Sequence, residues 1–367
     1  MSEYLLILLW LAIMALFQQF VNTEETITVH GKKEKRVTWW FAILVFIPLV
    51  WYAANRGSNI GDTGTYINTF KGMPDLLSEF PTYYQSLSKD KWFYASEALI
   101  HILISKEYKV CFFIIAAFQA FTLIKLYRRY SSGYILAIFI FIAVGDYVSW
   151  MQNGTRQFVA VCICLLATSW MIERKIIPST ILILIASRFH GSAILMIPIF
   201  LVCIGKAWNK RTLLVIVSTL LIIAFVPQFT SWLDFALDDT QYTNVVSDWQ
   251  SWNDDGTNPI RVLVYSIPMV LSLAGLRQIQ STDDKVINFC TNMSIVTAGL
   301  YLVSMFTSGI FIGRLPIYAN LYSNGVLLPW ELEYIFNKGS SRYMKIASIT
   351  GFTLLYLYQM YFMWGLI

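Results

Sequence analysis

Stretches of close to 20 apolar residues recur along this chain of 367 residues and constrain its fold more than any other feature. They cover residues 4–21, 37–54, 108–127, 133–150, 157–172, 212–229, 259–276, 286–306, 315–330 and 346–364. A helix of about 20 apolar residues spans the roughly 30 Å hydrocarbon core of a bilayer. Such a helix also satisfies its own backbone polar groups where water is absent.

The sequence therefore predicts an all-α fold, a polytopic helical integral membrane protein with about 10–12 membrane segments. We expect a single transmembrane domain over residues 1–367, with extracytoplasmic loops at 55–93 and 230–258. Only 13% of the residues are charged, against about 25% in soluble domains. A soluble enzyme, a disordered protein and a secreted disulfide scaffold are excluded, because too few polar groups remain to cover a water-facing surface.

The arrangement of residues 178–205 decides on which side of the membrane each later loop lies. This stretch is either one long tilted helix or two short segments, as undersized spans or as a re-entrant hairpin. With two segments, seventeen of the 27 Lys and Arg residues lie on one side, which the positive-inside rule identifies as cytoplasmic. Both termini then face outward, and residues 95–105 form an outer helix that does not span. The net charge of +5 follows from this bias and does not indicate nucleic-acid binding.

Five arginines break the positive-inside rule at the outer ends of predicted spans. They are Arg56, Arg156, Arg188, Arg261 and Arg314. Arginine presents a planar fork of donors that suits phosphate and carboxylate, and its charge is costly at membrane depth unless it is paired. Several of them at one depth would form an outward-facing anion site. The alternative for each is interfacial snorkelling or a salt bridge.

Two polar segments at outer helix ends carry candidate chemistry. Gly61 and Asp62 follow Arg56 in a glycine-rich loop, where a carboxylate could orient a sugar hydroxyl or act as a general base. The alternative is a turn that caps the next helix. Arg156 and Gln157 open the fifth apolar stretch, where free N–H groups and the helix dipole favour an anion; the alternative is an ordinary interfacial helix start.

Two histidines and one acid give further candidates. His190 lies with Arg188 at the junction inside 178–205 and suits a proton acceptor or a phosphate donor near neutral pH. The alternative is a membrane histidine that is hydrogen-bonded to backbone. Glu97 and His101 are spaced i, i+4 on the short outer helix and could pair; we expect them to be structural, and the alternative is a secondary role in the site.

Motifs for nucleotide or metal chemistry do not occur in the sequence. There is no phosphate-binding P-loop, no GxSxG, no HExxH and no Asp-x-Asp pair. The five cysteines lie in apolar stretches and indicate no zinc site. We therefore expect no metal and no cofactor, and a substrate that arrives already activated.

Several of these segments, in this order, resemble the EpsG family of exopolysaccharide proteins, which is similar to the Wzy polymerases of O-antigen and capsule assembly. The matching residues are Arg56 with Gly61-Asp62 and Tyr66 to Phe70, Gly154-x-Arg156-Gln157, His190-Gly191-Ser192-Ala193, and Gly313-Arg314 with Tyr318. The acidic and aromatic feature that the family has before the first helix after the loop is shifted here, with Lys91-Trp92-Phe93 preceding Glu97.

The resemblance implies a metal-independent inverting glycosyltransferase with a GT-C-like membrane fold. Such a polymerase transfers a glycan from undecaprenyl pyrophosphate to the terminal sugar of another lipid-linked repeat unit. The reaction takes place on the outer face of the bacterial cytoplasmic (inner) membrane. The expected partners are the undecaprenyl-pyrophosphate-linked oligosaccharide, the lipid bilayer, and a chain-length regulator and a flippase of the same pathway.

Within this resemblance the predicted residues divide into three roles. Arg156 and Arg314, with Arg56 or Arg188, are predicted to bind the pyrophosphate, and Asp62 or His190 to be the catalytic base. The predicted substrate-binding residues are Tyr66, Gln157, Tyr318, Trp249 and Trp252. Two other functions stay open, a flippase or transporter of lipid-linked oligosaccharide and a membrane O-acyltransferase; a structural scaffold fits only if the arginines are scattered.

Overall fold

The computed structural model describes residues 2–236 and 254–367. The chain divides into two compact units. Unit 1 comprises Met1–Ile194 with Lys345–Ile367, and unit 2 comprises Leu195–Met344. Each unit is described separately below.

Unit 1 contains the N-terminal helices and the end of the last helix. Its helices are α1 (Glu3–Phe20), α2 (Trp39–Ala54), α3 (Thr63–Lys71), α4 (Phe80–Ser86), α5 (Lys91–Leu103), α6 (Tyr108–Tyr130), α7 (Tyr134–Ala143), α8 (Thr155–Leu166), α9 (Thr168–Ile172) and α10 (Ile176–Phe189). A π-helical turn, Tyr147–Asn153, lies between α7 and α8. Helix α6 packs against α2 and α8, while α10 packs against α8 and α5.

A β-hairpin precedes α2, although the sequence predicts an all-α fold and a basic loop here. Strands β1 (Glu24–Val29) and β2 (Lys32–Val37) pair antiparallel. The turn residues His30 and Gly31 both have positive φ, at 45° and 88°, as the tight primed turns of hairpins require. The β-branched run from Thr26 to Val29 was the available signal for a strand, and its many charged neighbours masked it.

Unit 2 is arranged around one long buried helix. Its helices are α11 (Met196–Cys203), α12 (Lys210–Ala224), α13 (Val226–Ala236), α14 (Pro259–Ala274), α15 (Leu276–Thr282), α16 (Lys285–Met305), α17 (Ile317–Tyr322) and α18 (Leu328–Tyr334). Helix α19 (Lys338–Tyr358) begins in this unit and continues into unit 1. Helix α16 packs against α11, α12, α14 and α17.

Some of the predicted membrane segments form helices that are long enough to span a bilayer. Among the described residues, four helical segments are long and apolar enough to cross a membrane: Glu3–Phe20, Tyr108–Tyr130, Lys285–Met305 and Lys338–Met363. The number rises to seven if each of three bent helix pairs is one span, and four further apolar helices are shorter, at 10–17 residues. The fold is therefore that of a mostly helical, polytopic membrane protein.

The predicted break inside 178–205 is confirmed. Helix α10 ends at Phe189, His190 has extended backbone, and a 3-10 turn follows over Gly191–Leu195. Because the helical hydrogen-bond ladder stops at His190, the two-segment interpretation replaces the single long helix.

Candidate functional site

The loop after α2 meets the start of α8 and so joins two of the predicted motifs. The backbone N–H of Asp62 donates to Asn153 Oδ1 at 2.8 Å. Gly61 has φ +47°, and a Cβ there would lie 2.1 Å from the same Asn153 oxygen. Only glycine fits this close approach without strain, so the Gly61-Asp62 segment is held at the N-terminal end of α8.

Arg56 is buried at this junction and ties three helix ends together. Its Nη1 donates to the carbonyl of Ala53 at 2.6 Å and its Nε to Thr63 Oγ1 at 3.2 Å, while Nη2 lies 3.5 Å from Thr155 Oγ1. The guanidinium stacks 3.9 Å above the ring of Phe112. With 4% of its surface exposed, Arg56 is placed to fix the geometry and to supply charge from behind the site.

Arg156 is the accessible cation of the pair. Its side chain is 25% exposed, and its Nη1 donates to Asp90 Oδ2 at 2.9 Å. The guanidinium also lies 5.6 Å from the centre of the Tyr94 ring and beside the Tyr66 hydroxyl. The Asp90 side chain is only 4% exposed, and this burial raises its pKa against the opposing charge of Arg156. Arg156 is thus a cation in the first turn of α8. Its present partner is the poorly solvated carboxylate of Asp90.

Glu97 lies within electrostatic reach of both arginines, which the sequence did not predict. Its side chain is on α5, outside the candidate spans, and the residue is 1% exposed. Burial raises its pKa to about 8, although Arg156 and Arg56 both act to lower it. One carboxyl oxygen lies 4.0 Å from Cys111 Sγ, and the other has no hydrogen-bond partner within the described residues.

The predicted structural pair of Glu97 with His101 is wrong. His101 Nε2 instead lies 3.1 Å from Asp75 Oδ1, and its ring packs edge-on against Phe70, with 4.9 Å between the ring centres. Both residues are on α5, but they are held by different neighbours. The available sequence signal was an acid inside the apolar run of α5, and the i, i+4 spacing to His101 gave it the wrong partner.

These side chains form one site, which we call the arginine–carboxylate cluster: Arg56, Tyr66, Asp90, Glu97 and Arg156. Tyr66 is its central hydroxyl. Burial raises the pKa of Tyr66, the charge of Arg156 lowers it, and the charges of Asp62 and Glu97 raise it further. Asp62 is therefore within electrostatic reach of the cluster, and it is exposed at the cluster's edge.

The predicted residues Arg188 and His190 lie at the same end of unit 1. Helix α10 packs against both α5 and α8, and Phe189 contacts Trp92 at the start of α5, with ring centres 6.0 Å apart. Arg188 is exposed and makes no hydrogen bond or ion pair with the residues that the structure describes. His190 Nδ1 lies 2.8 Å from Ser192 Oγ.

The remaining predicted residues are not gathered in the cluster. Gln157 is buried in the first turn of α8. In unit 2, Arg314 is exposed in a 3-10 turn before α17, in which Tyr318 is buried. Trp249 and Trp252 lie outside the described residues. The roles assigned to all of these stay predictions.

One acid of the 230–258 loop, Asp254, stabilises the local structure. Asp254 accepts hydrogen bonds from Ser308 Oγ at 2.7 Å and from the N–H groups of Gly256, Gly309 and Ile310 at 2.9–3.0 Å. Burial opposes its ionisation, but these donors hold its pKa below the usual range. The Asp254 carboxylate therefore holds its own loop against residues 308–310.

The chemistry of the cluster favours an anionic ligand. Within the described part of the chain, no group of three His, Cys, Asp or Glu side chains is arranged to hold a metal ion. Two guanidinium groups meet two poorly solvated carboxyls, and only Arg156 is substantially open to a ligand. A phosphate group that displaced Asp90 would accept the same Arg156 donors with a larger negative charge.

The sequence profile of the EpsG family matches residues 39–365, which include every predicted site residue. The chain belongs to the EpsG family. Comparisons with curated proteins and with solved structures find no match. Membership of the EpsG family indicates a polymerase-type role in exopolysaccharide biosynthesis, and it confirms the resemblance inferred from the motifs. The fold brings together two of the four motifs that carried that inference, those at Arg56 to Tyr66 and Gly154 to Gln157.

Proposed function

We propose that this EpsG-family protein is a polysaccharide polymerase. It would transfer a glycan from undecaprenyl pyrophosphate to the terminal sugar of another lipid-linked repeat unit, with a GT-C-like membrane fold and an active site on the outer face of the bacterial cytoplasmic membrane. The observation that carries the proposal is the accessible Arg156, set beside buried Arg56 and Glu97 at the N-terminal end of α8. Family membership supplies the class of reaction.

Recognition of the donor begins with an exchange of partners at Arg156. In the structure this guanidinium is bound to Asp90. The donor pyrophosphate would take the place of Asp90 and accept two parallel hydrogen bonds from the planar fork. The N-terminal turn of α8 adds partial positive charge where the phosphate oxygens would lie. Arg56 acts as a positioning residue, because its donors already fix the ends of α2, α3 and α8.

The transfer step is an in-line substitution at the anomeric carbon of the donor. The acceptor hydroxyl loses its proton to a carboxylate while its oxygen forms the new glycosidic bond. The bond from the anomeric carbon to the pyrophosphate oxygen breaks, and undecaprenyl pyrophosphate leaves with the electron pair. Attack from the opposite face inverts the anomeric configuration, and no metal is needed if arginines stabilise the developing charge.

Asp62 is the better placed of the two predicted bases. Its carboxylate is exposed at the edge of the cluster, where an incoming sugar could reach it, and its charge acts on Tyr66 within the cluster. His190 lies at the same end of unit 1 but is already hydrogen-bonded to Ser192. We therefore assign the proton transfer to Asp62, within hydrogen-bond reach of the acceptor hydroxyl in the loaded enzyme.

Extension of a purified lipid-linked repeat unit by the purified protein tests this function. We expect Arg156→Ala to lower the rate of chain extension about 100-fold or more, as for the loss of one donor that stabilises transition-state charge. Arg156→Lys should recover only part of the rate, because a point charge cannot form the bidentate contact.

Lys106→Ala is the matched control, since it removes an exposed cation that pairs with Asp75 away from the cluster. Equal extension rates for Arg156→Ala and Lys106→Ala would overturn the assignment of Arg156. If the wild-type protein moved the lipid-linked unit across vesicles without extending it, the polymerase proposal itself would fail in favour of a flippase.

A further inference from the structure

A cavity of about 480 Å³ opens in unit 1, far from the arginine–carboxylate cluster. Its volume falls within the roughly 300–1,000 Å³ of small-molecule sites. It lies among α1, the β-hairpin, the turn between α6 and α7, and α19. Because α2 has 16 residues and rises about 1.5 Å per residue, the cavity and Arg56 lie at opposite ends of a helix about 24 Å long.

The body of the cavity is apolar. Its walls include Leu11 and Ala15 of α1, Leu136 and Phe139 of α7, and Ile349 of α19. Such a lining suits a hydrocarbon chain, which loses no hydrogen bonds when it leaves water. Since the neighbouring faces of α1 and α19 expose other large apolar side chains, a chain in the cavity would be continuous with a lipid environment.

The mouth of the cavity is basic. Lys35, Arg36 and Arg128 line it, against one acid, Glu24. Arg128 is 7% exposed and its guanidinium lies 4.6 Å from the centre of the Trp39 ring. One of its terminal nitrogens binds Glu25, but its Nε is buried without a hydrogen-bond partner among the described residues. The residues around Arg128 therefore satisfy its guanidinium group only in part, and an anionic oxygen in the cavity would pair with the charge of that group.

We propose that this cavity is a binding site for an anionic phospholipid. The phosphate would lie against Arg128 and Lys35, and one acyl chain would extend between α1, α7 and α19. A free anion would leave the apolar body without a ligand, and an uncharged hydrocarbon would leave the basic mouth without one. Only an amphipathic anion matches both. The basic residues of the hairpin lie on the side that the positive-inside count predicts to be cytoplasmic, where anionic lipids attract such residues.

Native mass spectrometry of the detergent-purified full chain tests this proposal. The protein is titrated with phosphatidylglycerol and, separately, with phosphatidylcholine of the same acyl chains, and a third arm uses glycerol 3-phosphate. We expect phosphatidylglycerol to be retained about tenfold more than phosphatidylcholine, and glycerol 3-phosphate not to be retained. Arg128→Gln should lower the retention of phosphatidylglycerol about fivefold, the factor for one basic residue beside an anionic lipid.

Two matched controls separate the cavity from general effects. Lys125→Gln removes a charge from the same helix at an exposed position that does not line the cavity, and it should leave retention unchanged. Ala15→Phe fills the apolar body, whereas Ile13→Phe adds bulk on the exposed face of α1. Ala15→Phe should therefore abolish retention, and Ile13→Phe should not, even if Arg128→Gln fails to fold.

Three results would overturn the proposal. Equal retention of the two phospholipids would remove the role of the basic mouth. Equal retention by Ala15→Phe and the wild-type protein would remove the role of the apolar body. Retention of glycerol 3-phosphate as strong as that of the lipid would show a site for a free phosphate, with no part for an acyl chain. None of these results depends on polymerase activity.

Discussion

Replacing Glu97 with Gln removes a buried carboxyl group that lies within electrostatic reach of two arginines. The change keeps the shape of the side chain and takes away its ability to ionise. In the folded protein, burial raises the pKa of Glu97 from its ordinary value of 4.5 to about 8. The folded state thus holds a proton on Glu97 over a pH range in which the unfolded chain has released it, and folding stability falls as pH rises through that range.

The size of the effect follows from the two pKa values. Each pKa unit corresponds to about 1.4 kcal/mol, so the folded protein loses about 5 kcal/mol in total between pH 4.5 and pH 8. At pH 7 the loss is about 3 kcal/mol. Glutamine ionises in neither state. Glu97→Gln should therefore match the wild-type protein at pH 4 and exceed its stability increasingly up to pH 8, with no further gain above it.

Thermal unfolding in detergent at a fixed scan rate measures this difference. For a chain of 367 residues, about 3 kcal/mol corresponds to a rise of roughly 4 °C in the unfolding temperature at pH 7. Glu107→Gln is the control, because it removes an exposed carboxyl from the residue before α6, which water solvates in both states. An unfolding temperature for Glu97→Gln that stays at or below the wild-type value at every pH from 4 to 9 would refute the reasoning.

Two further changes test the local geometry of each unit. Gly61→Ala places a Cβ 2.1 Å from Asn153 Oδ1 at φ +47°. It should lower the free energy of unfolding in denaturant by more than about 1 kcal/mol. If the clash with Asn153 causes this loss, adding Asn153→Ala in a double variant should recover part of it. Asp254→Asn removes a charged acceptor of bonds from Ser308 and Ile310 and should cost about 1.5–3 kcal/mol at pH 7. Because hydrogen bonds hold the Asp254 pKa below 3.8, the difference should shrink as pH falls through the folded-state pKa; a difference that does not change with pH would contradict this explanation.

The class of fold and the order of its parts follow from the sequence itself. Apolar runs of span length and the scarcity of charge predict a helical membrane protein, because both are local properties of the chain. The break at His190 follows from the count of cations on each side of the membrane, and the structure confirms it. The motif residues around Asp62 and Arg156 were identified from short segments, and Asn153 brings those segments into contact.

The sequence contains a signal for the hairpin at residues 24–37, but the charged residues of this segment obscure that signal. The run of β-branched residues from Thr26 to Val29 favours a strand, yet a segment rich in Lys, Arg and Glu also suits a solvated loop. The choice between them depends on cross-strand pairs such as Thr26 with Lys35, and pairing of this kind depends on context more than helix propensity does.

The composition of the arginine–carboxylate cluster was decided only by the tertiary structure. Arg156 and Asp90 are 66 positions apart in the chain, and Glu97 has its raised pKa because α5 buries it beside Arg56 and Arg156. On the sequence alone, the i, i+4 rule paired Glu97 with His101 instead. Helical periodicity fixes which residues share a face of one helix, but the environment of a buried charge is set by the other helices packed around it, and only the folded chain brings those together.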